Sequence, residues 1–390
     1  MDFRKTWQHL FRASQLALFL ALISSPIVGA QSPPGPPPIN AKAAELVDAN
    51  SGQVLYTKNA QQELPMASVT KLMTLYIAVR AIERHQIRLH DMVPADEEAY
   101  RIGGSQIWLE PGERLSVDQM LKAVAVGSAN DAAYALGTYI SGSEAGFVQQ
   151  MNETAKALGM THTHFSNPHG LPQSNHYSSA HDLAILGEKA VKLPLLLKYT
   201  SLWEDRSIRN GKGGTLWLVN HNRLLRTYPG ADGLKTGFTR EAGYCMVATA
   251  KKGETRMVVA ILGAPTGKIR AQDAASLLTW GFQNFRTVSI APAHKIMGYV
   301  DVRRGVEPRV AAWVVDPVLL TLPASSGHIS QALTLPQEVQ APVRVGQALG
   351  HLEIKSGRHV IRSVSIVAAK QVARTTIGAL TWKYLWKLFT

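Results

Sequence analysis

Residues 66 to 74 read Met66-Ala67-Ser68-Val69-Thr70-Lys71-Leu72-Met73-Thr74 and open a segment with helical periodicity that runs from Ser68 to Ile82. Side chains three positions apart share one face of a helix, so we expect Lys71 beside the Ser68 hydroxyl. A serine hydroxyl becomes a useful nucleophile when a neighbouring base removes its proton. Burial and nearby cations can lower the pKa of a lysine enough for that task. Taken alone, however, Ser-x-x-Lys is more often a solvated lysine on a helix.

Two further short motifs follow along the chain. Ser128-Ala129-Asn130 lies between two helical segments, where Ser128 could relay a proton and the Asn130 amide could both donate to and accept from a substrate peptide group. Lys235-Thr236-Gly237 lies at the edge of a strand-like run. There a lysine and a hydroxyl can bind a carboxylate, and glycine lets a substrate backbone approach closely. In isolation the first motif also fits a helix N-cap, and the second fits a turn into a strand.

The segments around these motifs predict an α+β fold, with a helical cluster, an antiparallel sheet and a small all-β domain at the end. Besides the first helix, helices are predicted at 116–126, 129–140, 144–158 and about 271–285. Strands are predicted at 43–48, 53–58, 243–250 and 255–262. Beyond about residue 291, alternating strands such as 309–315, 343–354 and 360–367 indicate the all-β domain.

Both ends of the chain carry features of export and membrane attachment. Residues 1–30 combine basic residues, a short apolar run and a small-residue cleavage site, which predicts a secretory signal. Residues 31–40 form a proline-rich linker. Residues 372–390 predict an amphipathic helix whose aromatic apolar face and lysines suit an in-plane position at a membrane surface. Between the ends we expect one domain over 41–290 and the all-β domain over 291–371.

The charge and the cysteine count narrow the classes of partner and site. A formal net charge of +13 is compatible with nucleic acid, anionic lipid or an acidic polymer. We expect no nucleic-acid partner, because neither a nucleic-acid motif nor a dense basic run occurs. A single cysteine, Cys245, excludes an intramolecular disulfide and a cysteine-based zinc site, and its apolar surroundings predict burial. His162 and His164 lack a third ligand nearby, so we expect no metal and no cofactor.

Together, in this order and context, the three motifs are similar to the set found in penicillin-binding proteins and class A β-lactamases. The flanking residues make the match more specific. Four stretches resemble low-molecular-mass penicillin-binding proteins of the D-alanyl-D-alanine carboxypeptidase type. They are the first stretch quoted above, Gly127-Ser128-Ala129-Asn130-Asp131-Ala132, Asp232-Gly233-Leu234-Lys235-Thr236-Gly237 and His164-Phe165-Ser166-Asn167-Pro168-His169-Gly170-Leu171. The resemblance covers about residues 41–285 and continues more weakly through the β-domain and the tail.

The resemblance implies a role for each motif residue. Ser68 would be the acylated nucleophile, Lys71 its general base and Ser128 the proton relay. The substrate-binding residues would be Asn130, Lys235, Thr236, Gly237, Phe238 and Arg270, with Arg270 supporting recognition of the terminal carboxylate. The oxyanion hole would use the backbone N–H groups of Ser68 and Phe238. The sequence departs from the family pattern at Phe238, where a relative has histidine; a backbone donor survives that change.

The resemblance implies a serine-type D-Ala-D-Ala carboxypeptidase that acts on peptidoglycan pentapeptides, binds β-lactams covalently and works at the periplasmic face of the inner membrane. Three alternatives stay open. A DD-endopeptidase is the nearest variant. A β-lactamase is disfavoured, because no Glu-x-x-Leu-Asn occurs between Asn130 and Lys235. A non-catalytic wall-binding or shape-organising protein on the same fold is the third. His169 and His176 could suggest a triad, but loop packing explains them when lysine is the base.

Overall fold

The computed structural model describes residues 34–209 and 214–376. The predicted secretory signal over 1–30 lies outside this range, as does the predicted C-terminal helix from residue 377 onward. Within the described ranges, no helix has the length and apolar character needed to cross a membrane.

The first domain combines helices with a central antiparallel sheet. Its helices are α1 (Lys71–Glu83), α2 (Glu97–Arg101), α3 (Val117–Ala125), α4 (Asn130–Ser141), α5 (Glu144–Leu158), α6 (Ala180–Ala190), α7 (Pro194–Thr200), α8 (Leu224–Thr227) and α9 (Gly267–Asn284). Its strands are β1 (Ala43–Asp48), β2 (Gln53–Lys58), β3 (Met92–Pro94), β4 (Arg114–Ser116), β5 (Glu204–Asp205), β6 (Leu218–Val219), β7 (Ala231–Thr239), β8 (Gly243–Lys252) and β9 (Thr255–Ala264).

The main sheet has the strand order β2-β1-β9-β8-β7, and its strands other than the edge strand β2 are buried on both faces. Side chains alternate across a strand, so Val247 joins the core shared with the helical cluster while its neighbour Ala248 joins the core beneath α9. Strand β7 is an edge strand of this sheet. Its free edge is therefore available to the turn that carries Ser68, and the two elements contact each other.

The predicted elements around the motifs are confirmed. Strands 43–48 and 53–58 and the helix over 144–158 have the predicted bounds. Ser116 and Gln119 form the reciprocal capping box that their spacing predicts. The predicted helix from Ser68 begins instead as a 3-10 turn over Ala67–Thr70, and the α-helix starts at Lys71. Helices α6 and α7 were not predicted.

The second domain is built from strands, as predicted. They are β10 (Phe285–Ala291), β11 (Ile296–Arg303), β12 (Arg309–Trp313), β13 (Val318–Pro323), β14 (Ile329–Thr334), β15 (Glu338–Gln340), β16 (Ala348–Ser356) and β17 (His359–Ala368). Strand β10 pairs with β13, so pairing within this domain starts at Phe285, one strand before the expected boundary at 290. Residues 372–376 are not helical: Val372 bridges Val343 and Arg374 bridges Gly305, so these residues belong to the β-domain.

Buried polar contacts join the two domains. The carboxylate of Asp48, at the end of β1, accepts hydrogen bonds from the hydroxyls of Thr287 (2.7 Å) and Thr321 (2.6 Å). Within the first domain, Trp280 of α9 donates its indole N–H to the Pro34 carbonyl at 2.8 Å. The proline-rich linker is therefore held against α9 over its described part, instead of standing clear as a spacer.

Candidate active site

Ser68 lies in a 3-10 turn that packs against the loop containing Ser166, Gly170 and His176. Ser166 N–H donates to His176 Nδ1 at 2.9 Å, so His176 carries its proton on Nε2 and donates to the Thr70 hydroxyl at 2.8 Å. Thr70 in turn donates to the Ala67 carbonyl at 2.8 Å. Gly170, at φ +89°, lies against the same carbonyl, where a Cβ would stand 2.1 Å from the oxygen. The turn is therefore fixed before any ligand binds.

Lys71 is fully buried beside the Ser68 hydroxyl. Its Nζ is 3.0 Å from Ser68 Oγ and donates to Asn130 Oδ1 at 2.6 Å and to the His169 carbonyl at 2.5 Å. Burial, and next the positive charge of Lys235, hold the pKa of Lys71 well below its usual value. An amine with a lowered pKa in contact with a hydroxyl can accept the hydroxyl proton, which is the requirement for a general base.

Ser128 and Lys235 form a second buried pair in the same site. Ser128 has a φ of +57°, and its hydroxyl accepts a hydrogen bond from Lys235 Nζ at 2.9 Å. Burial, together with the charge of Arg270, lowers the pKa of Lys235 to about 7. The Ser128 hydroxyl therefore contacts Lys235 of β7 and lines the same cleft as Ser68, where a hydroxyl can both accept and pass on a proton.

Gly237 allows β7 to lie directly against the turn of Ser68. A Cβ at this position would meet Ser68 N at 2.8 Å, Met66 O at 2.9 Å and Val69 N at 2.9 Å, all of them backbone atoms. The next residue, Phe238, is exposed, and its ring packs on Tyr244 with centroids 4.3 Å apart. The side chain of Phe238 thus forms an aromatic edge of the site while its backbone continues the strand.

A cleft of about 310 Å³ brings the predicted residues together. Its lining consists of Ser68, Ser105, Ser128, His221, Thr236, Gly237, Phe238, Tyr244 and Arg270. The other three predicted residues lie behind this lining: Lys71 contacts Ser68, Asn130 contacts Lys71, and Lys235 contacts Ser128. All nine predicted residues therefore meet in one site, although they come from segments up to two hundred residues apart.

Four residues of the site were missed by the sequence analysis, and one of them, Tyr244 of β8, lines the cleft beside Phe238. His221 and Ser105 line the cleft from loops, and no motif surrounds either of them. Asp131 is fully buried and accepts hydrogen bonds from Ile107 N–H and Leu109 N–H, both at 3.1 Å to Oδ2, which fixes the loop that carries Ser105. Nothing in the sequence distinguished Asp131, because an acidic residue in the first turn of a helix is a common choice.

The remaining candidate residues are structural. His169 and His176 are buried in the loop under Ser68, and burial lowers their pKa values to about 3 and about 4, so both are neutral at pH 7. Cys245 is fully buried, as predicted, and burial raises the pKa of its thiol to about 11. Among the residues that the structure describes, no group of three or more potential ligands is arranged to hold a metal ion.

Comparison with known proteins gives the class and then the family. The family model described as D-alanyl-D-alanine carboxypeptidase matches residues 30–266, and the model described as penicillin-binding protein 5, C-terminal domain, matches residues 285–374. These matches, together with the Ser68 site, define a serine peptidase with a PBP5-like two-domain fold. The chain belongs to the D-alanyl-D-alanine carboxypeptidase family.

Individual relatives agree over most of the length. D-alanyl-D-alanine carboxypeptidase DacF of Bacillus subtilis is 39% identical over 333 residues, which is 85% of each chain. D-alanyl-D-alanine carboxypeptidase DacC of Escherichia coli is 32% identical over 384 residues, 95% of this chain and 94% of the relative. The crystal structures of penicillin binding protein 5 from Haemophilus influenzae match with a TM-score of 0.79 and 32% identity, covering 87% of this chain and 100% of that one.

Proposed function

We propose that this protein releases the terminal D-alanine from peptidoglycan stem peptides through an acyl-enzyme on Ser68. The observation that carries the proposal is the contact between the Ser68 hydroxyl and the Lys71 amine, 3.0 Å apart, with the lysine fully buried and its pKa lowered. A lysine without a lowered pKa would hold its proton at neutral pH and could not activate the serine. Membership of the carboxypeptidase family supports the choice of substrate.

Acylation follows from the positions of the three polar side chains. Lys71 takes the proton of Ser68 as Oγ attacks the carbonyl carbon between the two D-alanines. The tetrahedral oxyanion forms beside the backbone N–H groups of Ser68 and Phe238, which act as the oxyanion hole. Ser128 relays a proton from Lys71 to the departing amine, D-alanine leaves, and the acyl group stays on Ser68. Water then adds to the ester and regenerates the Ser68 hydroxyl as the shortened peptide departs.

Recognition of the substrate falls to the edge of β7 and its cationic neighbours. The extended peptide lies along the free edge of this strand, and the Asn130 amide contacts one of its peptide groups. The terminal carboxylate accepts a hydrogen bond from Thr236 and is stabilised by Lys235 and Arg270. Both cations are buried, so their attraction for a carboxylate is screened little by solvent. Because Gly237 has no side chain, the substrate backbone can approach Ser68 closely.

Intact mass spectrometry after mixing the protein with benzylpenicillin tests this proposal, with Ser68→Ala as control and D-alanine release from a D-Ala-D-Ala peptide as the second readout. A stable penicilloyl adduct that the control lacks, together with D-alanine release, is the expected result. Rapid penicillin hydrolysis without a lasting adduct would instead indicate a β-lactamase. Absence of both adduct and release would leave a non-catalytic wall-binding role. Release from cross-linked dimers as well would add DD-endopeptidase activity.

We also propose that the protein is exported, that it works at the periplasmic face of the inner membrane, and that its C-terminal segment attaches it there. The support is the signal-like sequence over 1–30 and the amphipathic pattern near the end of the chain. Because residues up to Thr375 are hydrogen-bonded to the β-domain, the truncation that tests attachment ends at Thr376 and removes 377–390. Membrane fractionation should find the truncated protein in the soluble fraction. Equal membrane retention of both forms would refute the attachment.

A further inference from the structure

A second cavity, of about 600 Å³, opens beside the catalytic cleft. Its lining consists of Trp203, Val219, Asn220, His221, Arg223, Tyr244, Gly267, Lys268 and Arg270. Three of these residues, His221, Tyr244 and Arg270, also line the catalytic cleft. The two cavities are therefore neighbours that share one wall, and a ligand group in the second cavity can belong to a molecule bound at Ser68.

The lining of this second cavity is cationic and contains no carboxylate. Arg223, Lys268 and Arg270 contribute three positive charges. Arg223 and Lys268 are exposed, and within the described part of the chain neither has a carboxylate partner in an ion pair. Three unpaired cations that converge on one cavity repel each other, and an anion between them would relieve that repulsion.

Arg270 lines both cavities, and the protein leaves part of its donor capacity unsatisfied. Its side chain is 8% exposed, and its buried Nε has no hydrogen-bond partner. Its other donors reach the carbonyls of Gly237, Cys245 and His221 at 3.4 to 3.5 Å, which is long for a guanidinium. A buried donor without a partner is costly, and a carboxylate is the acceptor that suits this planar fork best.

Helix α9 adds to the positive potential. Its first residues, Gly267 and Lys268, line the cavity, so the helix N-terminus lies at the cavity wall. The first turn of α9 holds no acidic residue that would neutralise this end. The Thr266 hydroxyl already accepts the Ile269 N–H, and the remaining N–H groups and the aligned peptide dipoles at such an end favour a negative charge.

We propose that this cavity binds a second carboxylate on the leaving side of the substrate, so that the enzyme accepts leaving residues larger than alanine when their side chain ends in an anion. This proposal rests on the proposed function. In the proposed function, Thr236 and Arg270 bind the α-carboxylate of the leaving residue. Arg270 and His221 line both cavities, so the second cavity begins next to that carboxylate. A side chain on the leaving residue therefore has a path to Lys268 and Arg223. The substrate class is a branched or cross-linked peptide whose leaving amine carries a further carboxylate.

Matched peptides that differ in the leaving residue test this. The series ends in D-Ala-D-Xaa, with Xaa as alanine, glutamate, the neutral isostere glutamine, or 2-aminoadipate, which reaches one carbon further. The wild-type protein should show kcat/KM at least about 10-fold higher for one of the two acids than for D-glutamine, the size expected of a charge-assisted contact. Arg223→Gln and Lys268→Gln should each reduce that ratio severalfold and leave D-alanine release unchanged.

Lys251→Gln serves as the matched control, because Lys251 is an exposed lysine in the same domain and its loss changes the net charge by the same amount. It should leave every ratio unchanged. A ratio near one for both acids in the wild-type protein would overturn the proposal, and so would a ratio that neither cavity variant alters.

Binding to the Ser68→Ala protein separates failure of this proposal from failure of the proposed function. Titration with the acetylated D-Ala-D-Glu and D-Ala-D-Gln peptides, followed by tryptophan fluorescence with Trp203 in the cavity wall, needs no turnover. Tighter binding of the acidic peptide, reduced by Lys268→Gln in the same background, supports the subsite even if no D-alanine is released. Equal binding of both peptides refutes the subsite even in an active carboxypeptidase.

Discussion

Replacing Gly237 by alanine should misplace the nucleophile without unfolding the protein. The new methyl group would lie 2.8 Å from Ser68 N and 2.9 Å from both Met66 O and Val69 N. An ordinary contact begins at 3.4 Å, so the turn of Ser68 and strand β7 must separate by about 0.5 Å. All three neighbours are backbone atoms, and no flexible side chain can move aside in their place.

This displacement affects the distance between Ser68 and the backbone N–H of Phe238, which together form the proposed oxyanion hole. A misplacement of about 1 Å can lower a rate about 100-fold, so a shift of half that size should slow acylation between about 10-fold and 100-fold. Overpacking of a tight contact costs about 1–3 kcal/mol of stability, which a domain with this much buried core tolerates.

The measurement is the second-order rate constant for acylation by benzylpenicillin, with thermal unfolding followed in parallel. Gly267→Ala is the matched control: a Cβ there meets the Tyr244 ring at 3.4 Å, an ordinary contact close to the same site. It should be acylated at nearly the wild-type rate. Wild-type acylation of Gly237→Ala would refute the argument that backbone contact at this glycine sets the geometry of the nucleophile.

Three further results are expected. Lys235 supports carboxylate binding in its charged form and has a pKa of about 7, so kcat/KM should fall as the pH rises through that value. In Lys235→Arg the fall in kcat/KM should move at least about 1 pH unit higher, because arginine keeps its charge. An unmoved pH profile would contradict this role of Lys235. Asp131→Ala should lower the free energy of unfolding in urea by about 1–3 kcal/mol, because N–H groups of residues 107–109 lose their acceptor; no change would contradict it. His176→Ala removes the support of Thr70 and should slow penicillin acylation severalfold, whereas His176→Gln, which can still donate, should be acylated faster than His176→Ala.

The motifs allowed the site to be predicted because each one combines a local geometry with a chemical need. Ser68 and Lys71 meet through the spacing of one helical turn. The order of the three motifs then indicated which distant segments must converge, and the structure brings Ser128 and Lys235 within 2.9 Å of each other. Local geometry plus a known set of motifs was therefore enough to identify six of the nine residues that line the cleft, but not Ser105, His221 and Tyr244.

One of the helices that were missed, α6, has a sequence pattern concealed by polar burial. Helix α6 buries Asp182, which accepts hydrogen bonds from His162 N–H and the Thr163 hydroxyl, both at 2.7 Å. It also buries Gly187, where a Cβ would stand 2.6 Å from the Val258 side chain. An acidic residue and a glycine on the inner face weaken the apolar periodicity by which a helix is recognised, so this helix could not be identified from its pattern.

The chemistry of Lys71 shows why the motif alone could not decide its role. The spacing places Lys71 next to Ser68, but the same spacing occurs on solvated helices, where a lysine keeps its proton at neutral pH. What lowers its pKa is complete burial and the charge of Lys235, which is brought in by a strand from far along the chain. Its amine is then held by Asn130 and by the His169 carbonyl, and neither acceptor carries a charge that would stabilise the protonated form as a carboxylate would. The basicity of Lys71 is therefore a property of the tertiary structure, and the serine of an otherwise common Ser-x-x-Lys pattern becomes reactive only because the three motif segments fold together.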